Sequence, residues 1–292
     1  MNNKFKICKV TRGIAAESLQ KVLAKLLFKQ KPISEVDLRD AWLFELRKHK
    51  EIFPDGWYTP PPHGIGVLFA TEDNADRLKF TSLRHQDYWP KENIFLDREK
   101  GFALFYCSPV DKKSGIIGDF GLSIYFGKNK KIIKVITEYL KILTSIFKHI
   151  ALGMRLADVH IFAKNILEKY GFTNEWWVSI TDPTGTNYGH TIPATYFSWT
   201  KKEQKTIQLG EKNWQGALRT INLKRKFINA FEPTEIIPGM AITIEPRSII
   251  KNDPKMPTIY FHTIAMFYEN GEKELLTGFD QIFELAGMDY IP

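Results

Sequence analysis

Histidines in two polar segments are the first candidates for chemistry in this 292-residue chain. His63 lies in a loop rich in proline and glycine, and His85 lies in a segment dense in polar and aromatic residues. A histidine with a pKa near neutrality, placed beside an acidic group, suits general acid–base catalysis. Both histidines are therefore candidate catalytic residues, although a stiff turn or an exposed loop would also explain each segment.

Four further segments combine an ionisable residue with strand-like or glycine-containing surroundings. Residues 118–121 read Gly-Asp-Phe-Gly, and residues 189–192 read Gly-His-Thr-Ile. Residues 238–246 read Pro-Gly-Met-Ala-Ile-Thr-Ile-Glu-Pro, and residues 260–264 read Tyr-Phe-His-Thr-Ile. Each of these segments contains an Asp, Glu or His residue.

The elements that must position these residues follow one order twice along the chain, two helices and then strands. In the first half, the spacing of apolar residues predicts helices and then strands at 14–30, 34–49, 64–70, 101–107 and 115–126. In the second half it predicts them at 130–149, 158–170, 239–245, 257–268 and 273–277, with a hairpin turn at 269–272. The order indicates an α+β fold with internal pseudo-two-fold symmetry, built from two αα-β halves.

Composition limits the class of protein. A hydrophobic fraction of 43% with 13% aromatic residues supplies a core and excludes a wholly disordered chain. Charged residues interrupt every stretch of about 18 residues, so no membrane span is expected. Two cysteines, Cys8 and Cys107, are too few for a disulfide scaffold, and the N-terminal residues lack a signal-peptide pattern. The sequence therefore predicts a cytoplasmic protein.

The net charge of +8 is concentrated in one segment. Residues 200–230, the basic segment, contain eight lysines and arginines against two glutamates. We interpret residues 200–235 as a basic insertion within a single domain spanning 1–292. Few aromatic residues interleave with these charges, so nucleic acid is not the expected partner. A solvated loop or a docking surface for an acidic protein would explain the segment.

The four segments resemble, in content and order, motifs of the creatinase/methionine-aminopeptidase family. The resemblance covers nearly the whole chain and implies the pita-bread fold of that family. Aminopeptidases of the family hold two divalent ions with two Asp, one His and two Glu, and two of these carboxylates bridge the ions. The resemblance places Asp119, His190 and Glu245 at three of these five ligand positions.

The two bridging positions carry other residues. Lys130 stands where the second Asp is expected, and Phe261 stands where the second Glu is expected. A dinuclear centre is therefore not expected, because an ammonium group in the pocket would repel a cation. We expect Lys130 and Phe261 to line a substrate pocket with Asp119 and Glu245. A mononuclear ion held by Asp119, Glu245 and His190 is the alternative.

These observations favour a metal-independent hydrolase acting on a small amine or amide substrate. His63, His85 and His190 would transfer protons, as an imidazole does in creatinase. No cofactor is expected for such an enzyme, and the alternative with a metal site would bind one divalent ion. His262 follows Phe261 on a strand and is expected to point to the opposite face. Two other hypotheses stay open: a non-catalytic module that binds peptides or proteins, and an aminopeptidase with a mononuclear metal site.

Overall fold

The computed structural model describes residues 3–29, 31–53, 62–80, 82–174, 188–251, 253 and 255–291. The first half contains α1 (Asn3–Phe28), α2 (Glu35–Leu46), β1 (Ile52–Phe53), β2 (Ile65–Thr71), β3 (Gly101–Cys107), β4 (Val110–Asp111) and β5 (Phe120–Tyr125). The second half begins with α3 (Lys130–His149), α4 (Leu156–Lys169), β6 (Phe172–Asn174), α5 (Lys201–Gln208) and α6 (Trp214–Lys224). It ends with β7 (Ala241–Ile244), β8 (Arg247–Ile250), β9 (Ile259–Phe267), β10 (Lys273–Leu276) and α7 (Asp280–Leu285).

Local capping fixes where the main helices begin. At α2, the Ser34 hydroxyl accepts a hydrogen bond from the backbone N–H of Asp37, and the Asp37 carboxylate accepts one from the backbone of Ser34. At α3, the Asn129 side chain accepts from the backbone N–H of Lys131, so Lys130 is the first helical residue. The order of two helices followed by strands recurs in both halves, as the sequence predicts.

Strands from both halves form one curved antiparallel sheet. Its order is β2-β3-β5-β9-β8-β6, and β7 and β10 pair with the remaining part of β9. All nine residues of β9 are buried, and this strand pairs with four others. Residues on β9 therefore lie next to residues that are far away in sequence, so side chains from distant parts of the chain can meet beside this strand.

The sheet and the helices enclose a large apolar core, with a smaller apolar cluster beside it. The smaller cluster contains Phe5 and Cys8 of α1 together with Ile207 and Ile221. The basic segment is therefore not a solvated loop. It contains α5 and α6, which pack against the rest of the fold through these two isoleucines.

Most predicted elements have the expected bounds, with two clear differences. The predicted strand at 115–126 begins only at Phe120, because Gly115 has a φ of +70° and forms a turn before it. The first helix begins at Asn3 rather than near residue 14. Cys8 and Cys107 are both buried and form no disulfide bond. In the described part of the chain, we find no helix with the length and apolarity that a membrane crossing requires.

Candidate active site

Four ionisable side chains from distant parts of the sequence meet in the interior. Asp119 directly precedes β5, His190 lies on a segment that bridges to β7, Glu245 directly follows β7, and His262 lies on β9. None of the four is more than 5% exposed. Buried ionisable groups are costly unless they are paired or bind a cation, so their convergence indicates a functional site.

The strand register brings three of these side chains to one face. Gly121 of β5 lies opposite His262 of β9. Asp119 precedes Gly121 by two residues, so the side chains of Asp119 and His262 share a face of the sheet. Glu245 extends β7 beside the same part of β9. A side chain at Gly121 would be excluded, because its Cβ would lie 2.7 Å from the ring of Tyr260.

The two imidazoles lie between the two carboxylates. His190 Nε2 is 3.3 Å from Asp119 Oδ2 and 3.4 Å from Glu245 Oε1. His262 Nε2 is 3.6 Å from Asp119 Oδ2 and 3.1 Å from Glu245 Oε2. Ligand atoms of Asp119, His190 and His262 all lie within 4.8 Å of one another. These three side chains therefore place oxygen and nitrogen donors around one point, and Glu245 lies beside both imidazoles.

Hydroxyl groups orient both carboxylates. Ser108 donates a hydrogen bond to Asp119 Oδ1. The Thr243 hydroxyl donates to Glu245 Oε1 over 3.0 Å, and the Tyr260 hydroxyl donates to Glu245 Oε2 over 3.1 Å. Burial and the nearby charge of Glu245 raise the pKa of Tyr260 well above its ordinary value, so this phenol keeps its proton and stays a donor.

The imidazoles keep both carboxylates ionised. Burial alone would raise the pKa of Asp119, but His190, His262 and Ser108 together lower it below its ordinary value. Burial likewise opposes ionisation of Glu245, and the charge and hydrogen bond of His262 lower its pKa in net terms. Two negative charges are therefore held side by side in the interior.

A backbone carbonyl fixes the orientation of His190. Its Nδ1 lies 2.9 Å from the carbonyl oxygen of Thr191, which can only accept a hydrogen bond. Nδ1 therefore carries a proton, and in the neutral ring the lone pair lies on Nε2, directed at Asp119 and Glu245. This arrangement is typical of a histidine that binds a metal through Nε2.

The predicted orientation of β9 is wrong. His262 enters the cluster, whereas Phe261 points to the opposite face and is fully buried. The ring of Phe261 packs against three aromatic rings at 5.7 to 6.1 Å, those of Tyr139, Phe279 and Phe283. The alternation of polar Tyr260 and His262 with apolar Phe261 was the sequence signal for this orientation. Phe261 therefore belongs to the core and does not line the cluster.

Lys130 does not enter the pocket either. It is the first residue of α3 and is exposed, whereas the cluster is buried. The expected cluster of a lysine with carboxylates is therefore replaced by a cluster of two histidines with two carboxylates. The reason is local, because the Asn129 cap starts a helix where the resemblance suggested a ligand position.

His63 and His85 are not brought to the cluster. Both are exposed, and His63 has a left-handed backbone with a φ of 63°. Within the described ranges, neither forms a hydrogen bond or ion pair with Asp119 or Glu245. The two prolines at 60 and 61, which precede His63 in its loop, lie outside the described residues.

The basic segment reaches the site at its C-terminal end. Phe227 forms a backbone bridge with His190, and the two rings are 5.9 Å apart. The guanidinium of Arg225 lies 4.4 Å from the centre of the Phe227 ring. Burial lowers the pKa of Arg225 to about 9, against the charges of Asp119 and Glu245, which raise it. A cation from the basic segment therefore lies within the electrostatic reach of the cluster.

Placing a glutamate at position 261, where the resemblance expects a metal ligand, tests the orientation of β9. We expect Phe261→Glu to unfold the protein or lower its free energy of unfolding by several kcal/mol, because it would bury a charge among aromatic rings. Phe261→Leu is the matched control, and it should keep the protein folded. A stable Phe261→Glu protein that binds an additional metal ion would show that residue 261 faces the site. Circular dichroism melting and metal analysis measure both properties.

Comparisons with known proteins agree with this architecture. The family model of metallopeptidase family M24 matches residues 13–273. An X-Pro aminopeptidase from Thermotoga maritima MSB8 superimposes with a TM-score of 0.60 at 10% identity, covering 94% of this chain and 61% of that one. A methionine aminopeptidase from Rickettsia prowazekii gives a TM-score of 0.58 at 12% identity, covering 94% and 97%.

A prolidase from Pyrococcus furiosus gives a TM-score of 0.55 at 14% identity, covering 94% of this chain and 64% of that one. No curated protein sequence matches the chain. Likeness at such identities shows the fold alone, whereas the family model matches most of the chain. The protein has the pita-bread fold and belongs to metallopeptidase family M24.

Proposed function

We propose that this protein hydrolyses peptide or related amide bonds with one divalent metal ion. Asp119, His190, Glu245 and His262 would hold that ion. The observation that carries the proposal is the orientation of His190, whose Nδ1 donates to the carbonyl of Thr191 while its Nε2 faces two carboxylates. In this orientation, a cation between Nε2 and the two carboxylates would bind all three groups with the imidazole neutral.

The charge and number of donors fit one ion rather than two. Asp119 and Glu245 supply two negative charges, which balance one divalent cation, and His190 and His262 add two neutral donors. Mixed imidazole and carboxylate donors suit zinc, manganese, iron or cobalt. A dinuclear centre would need further carboxylates, and the described part of the cluster offers none beyond these two.

Neighbouring groups would hold the side chains of the cluster in the arrangement that hydrolysis needs. A divalent ion bound here would supply Lewis-acid activation of an amide carbonyl and of water. Tyr260 and Thr243 hold Glu245 in place, Ser108 holds Asp119, and the Thr191 carbonyl sets the proton position on His190. Hydrogen bonds of this kind keep ligands in position before the ion arrives.

We prefer this proposal to the metal-free hydrolase that the sequence alone favours. The metal-free reading needs a proton-transferring histidine beside the carboxylates, and His63 and His85 are exposed. Without an ion, the cluster would hold its charge only with protonated imidazoles. The family relatives supply the substrate panel for a test, because the similar structures include X-Pro aminopeptidase, Xaa-Pro dipeptidase and methionine aminopeptidase.

Metal titration of the purified chain, followed by peptidase assays, tests the proposal. After dialysis against a chelator, calorimetric titration with Mn²⁺, Co²⁺ or Zn²⁺ should show one tight site per chain. Hydrolysis of Xaa-Pro dipeptides or N-terminal methionyl peptides should then appear only with the metal. Two tight sites would overturn the mononuclear proposal, and hydrolysis that survives chelation would favour the metal-free enzyme.

Absence of both metal binding and hydrolysis would favour a binding module. An acidic protein docked on residues 200–230 remains our prediction for the partner in that case. A pulldown weakened by neutralising Lys224 and Lys226, which are exposed, would support it.

A further inference from the structure

We propose that Arg12 is a positioning residue that holds the strands carrying Asp119 and His262 in the arrangement the metal site needs. Arg12 lies on α1 and is only 3% exposed. One terminal nitrogen of its guanidinium donates a hydrogen bond to the backbone carbonyl of Asp119. The other donates to the carbonyls of His262 and Thr277, over 2.7 and 2.6 Å. Two of these three carbonyls belong to residues of the cluster itself.

The chemistry of this contact requires an arginine. A guanidinium is planar and offers several donors in a fixed arrangement, whereas the ammonium of lysine is a compact point charge. Both terminal nitrogens of Arg12 are used, and together they contact three carbonyls. The guanidinium carbon lies 5.1 and 5.6 Å from the ring centres of Phe120 and Phe279. Burial lowers the pKa of Arg12 to about 10, so the group is still charged at neutral pH.

Arg12 joins the strands where their own hydrogen bonding stops. The described pairing between β5 and β9 comprises two residue pairs, of which the one nearer the site is Gly121 with His262. Asp119 lies two residues beyond that pair, so the pairing sets the face on which its side chain lies but does not reach Asp119 itself. By binding the carbonyls of both residues, Arg12 extends the connection across the end of the ladder.

The backbone near the site is shaped to admit α1. A Cβ atom at Gly118 would lie 2.5 Å from the backbone nitrogen of Arg12. Only glycine at this position lets the helix approach closely enough for the guanidinium to reach the carbonyl of Asp119. The helix, the glycine and the arginine therefore act together on the residue that supplies one carboxylate of the cluster.

A positioning role makes a prediction that a purely stabilising role does not. A group that orients metal ligands changes metal affinity by about 10- to 100-fold when it is replaced. A buried residue that only stabilises the fold changes the melting temperature and leaves the affinity of the folded protein unaltered. Leu19 lies on the same helix, is fully buried and packs in the main core, so Leu19→Ala is the matched control.

The experiment compares Arg12→Lys, Arg12→Gln and Leu19→Ala in the full chain at a temperature where all three are folded. Calorimetric titration with Mn²⁺ or Co²⁺ gives the affinity, and circular dichroism gives the melting temperature. We expect both Arg12 variants to bind the metal about 10- to 100-fold more weakly. Leu19→Ala should have a lower melting temperature and the same metal affinity as the unaltered chain. Unaltered affinity in a folded Arg12 variant would overturn the inference.

The affinity measurement depends on the proposed metal-dependent function, so a second measurement separates the two. If the unaltered chain binds no metal, the proposed function fails, and crystal structures of the unaltered chain and Arg12→Lys decide the inference. An Asp119 Oδ2 to His262 Nε2 separation clearly longer than the present 3.6 Å in the variant supports it. A separation unaltered by the substitution contradicts it.

Discussion

Replacing His262 by alanine is expected to abolish metal binding and to lower kcat/KM for peptide hydrolysis by more than about 100-fold, the upper end for a residue that only orients a ligand. His262 Nε2 is the imidazole atom nearest Glu245, at 3.1 Å, and it also faces Asp119. Its removal leaves two buried carboxylates with one imidazole. Calorimetric titration and a dipeptide assay on the same preparation measure both losses.

The neighbouring residue supplies the control. Phe261 lies on the same strand with its ring in the apolar core, so Phe261→Leu should lower the free energy of unfolding by about 1 to 2 kcal/mol. Its metal stoichiometry should equal that of the unaltered chain. If His262→Ala kept the metal and the activity, His262 would be no ligand, and the four-residue site would be wrong.

Replacing Glu35 by alanine is expected to lower the free energy of unfolding by about 3 to 5 kcal/mol, the usual effect of removing one partner of a buried ion pair. Glu35 is fully buried at the start of α2. Its carboxylate accepts two hydrogen bonds from Arg77 and one each from the backbone N–H groups of Phe69 and Lys91, all between 2.6 and 2.9 Å. With alanine at this position, these donors would lose their shared acceptor, and the charge of Arg77 would lose its partner carboxylate.

Glu45 on the same helix is the matched control. It pairs with Lys21 and Lys48 near the surface, over 3.0 and 2.6 Å. Ion pairs of this kind contribute at most about 1 kcal/mol, so Glu45→Ala should change stability little. Urea unfolding followed by tryptophan fluorescence compares the two variants. If both variants lost the same free energy of unfolding, the hydrogen bonds of Glu35 would stabilise the fold no more than an ordinary surface ion pair does.

Local patterns were enough to predict much of the fold. The apolar spacing of Gly101–Cys107 and Lys130–His149 gives the observed bounds of β3 and α3. Ser34 begins α2 because a serine followed by an acidic residue three positions later satisfies two backbone donors. The same signal was present at Thr200 and Glu203, which cap α5. The first helix of the basic segment was therefore predictable from its capping residues.

The site was predictable only in part, because some of its members carry no local signal. The motifs single out Asp119, His190 and Glu245, and the structure brings these three together. The resemblance leaves out His262 because it directs Phe261 toward the site, whereas the polar and apolar alternation of β9 indicates the reverse. Arg12 could not have been found, since one arginine on a helix with several lysines has no distinctive spacing. Its role depends on three carbonyls supplied by other elements.

The hydrogen bonds of Arg12 also have a consequence for the order of folding. Two of them join Arg12 to residues that lie 250 and 265 positions further along the chain. Contacts between residues so distant in sequence form slowly, because a long loop must close before they contribute. The first helix can form early, yet its arginine finds two of its acceptors only when β9 and β10 are in place. The four side chains of the cluster would therefore come together late in folding, and uptake of the proposed metal ion would report that the whole chain has reached its native state.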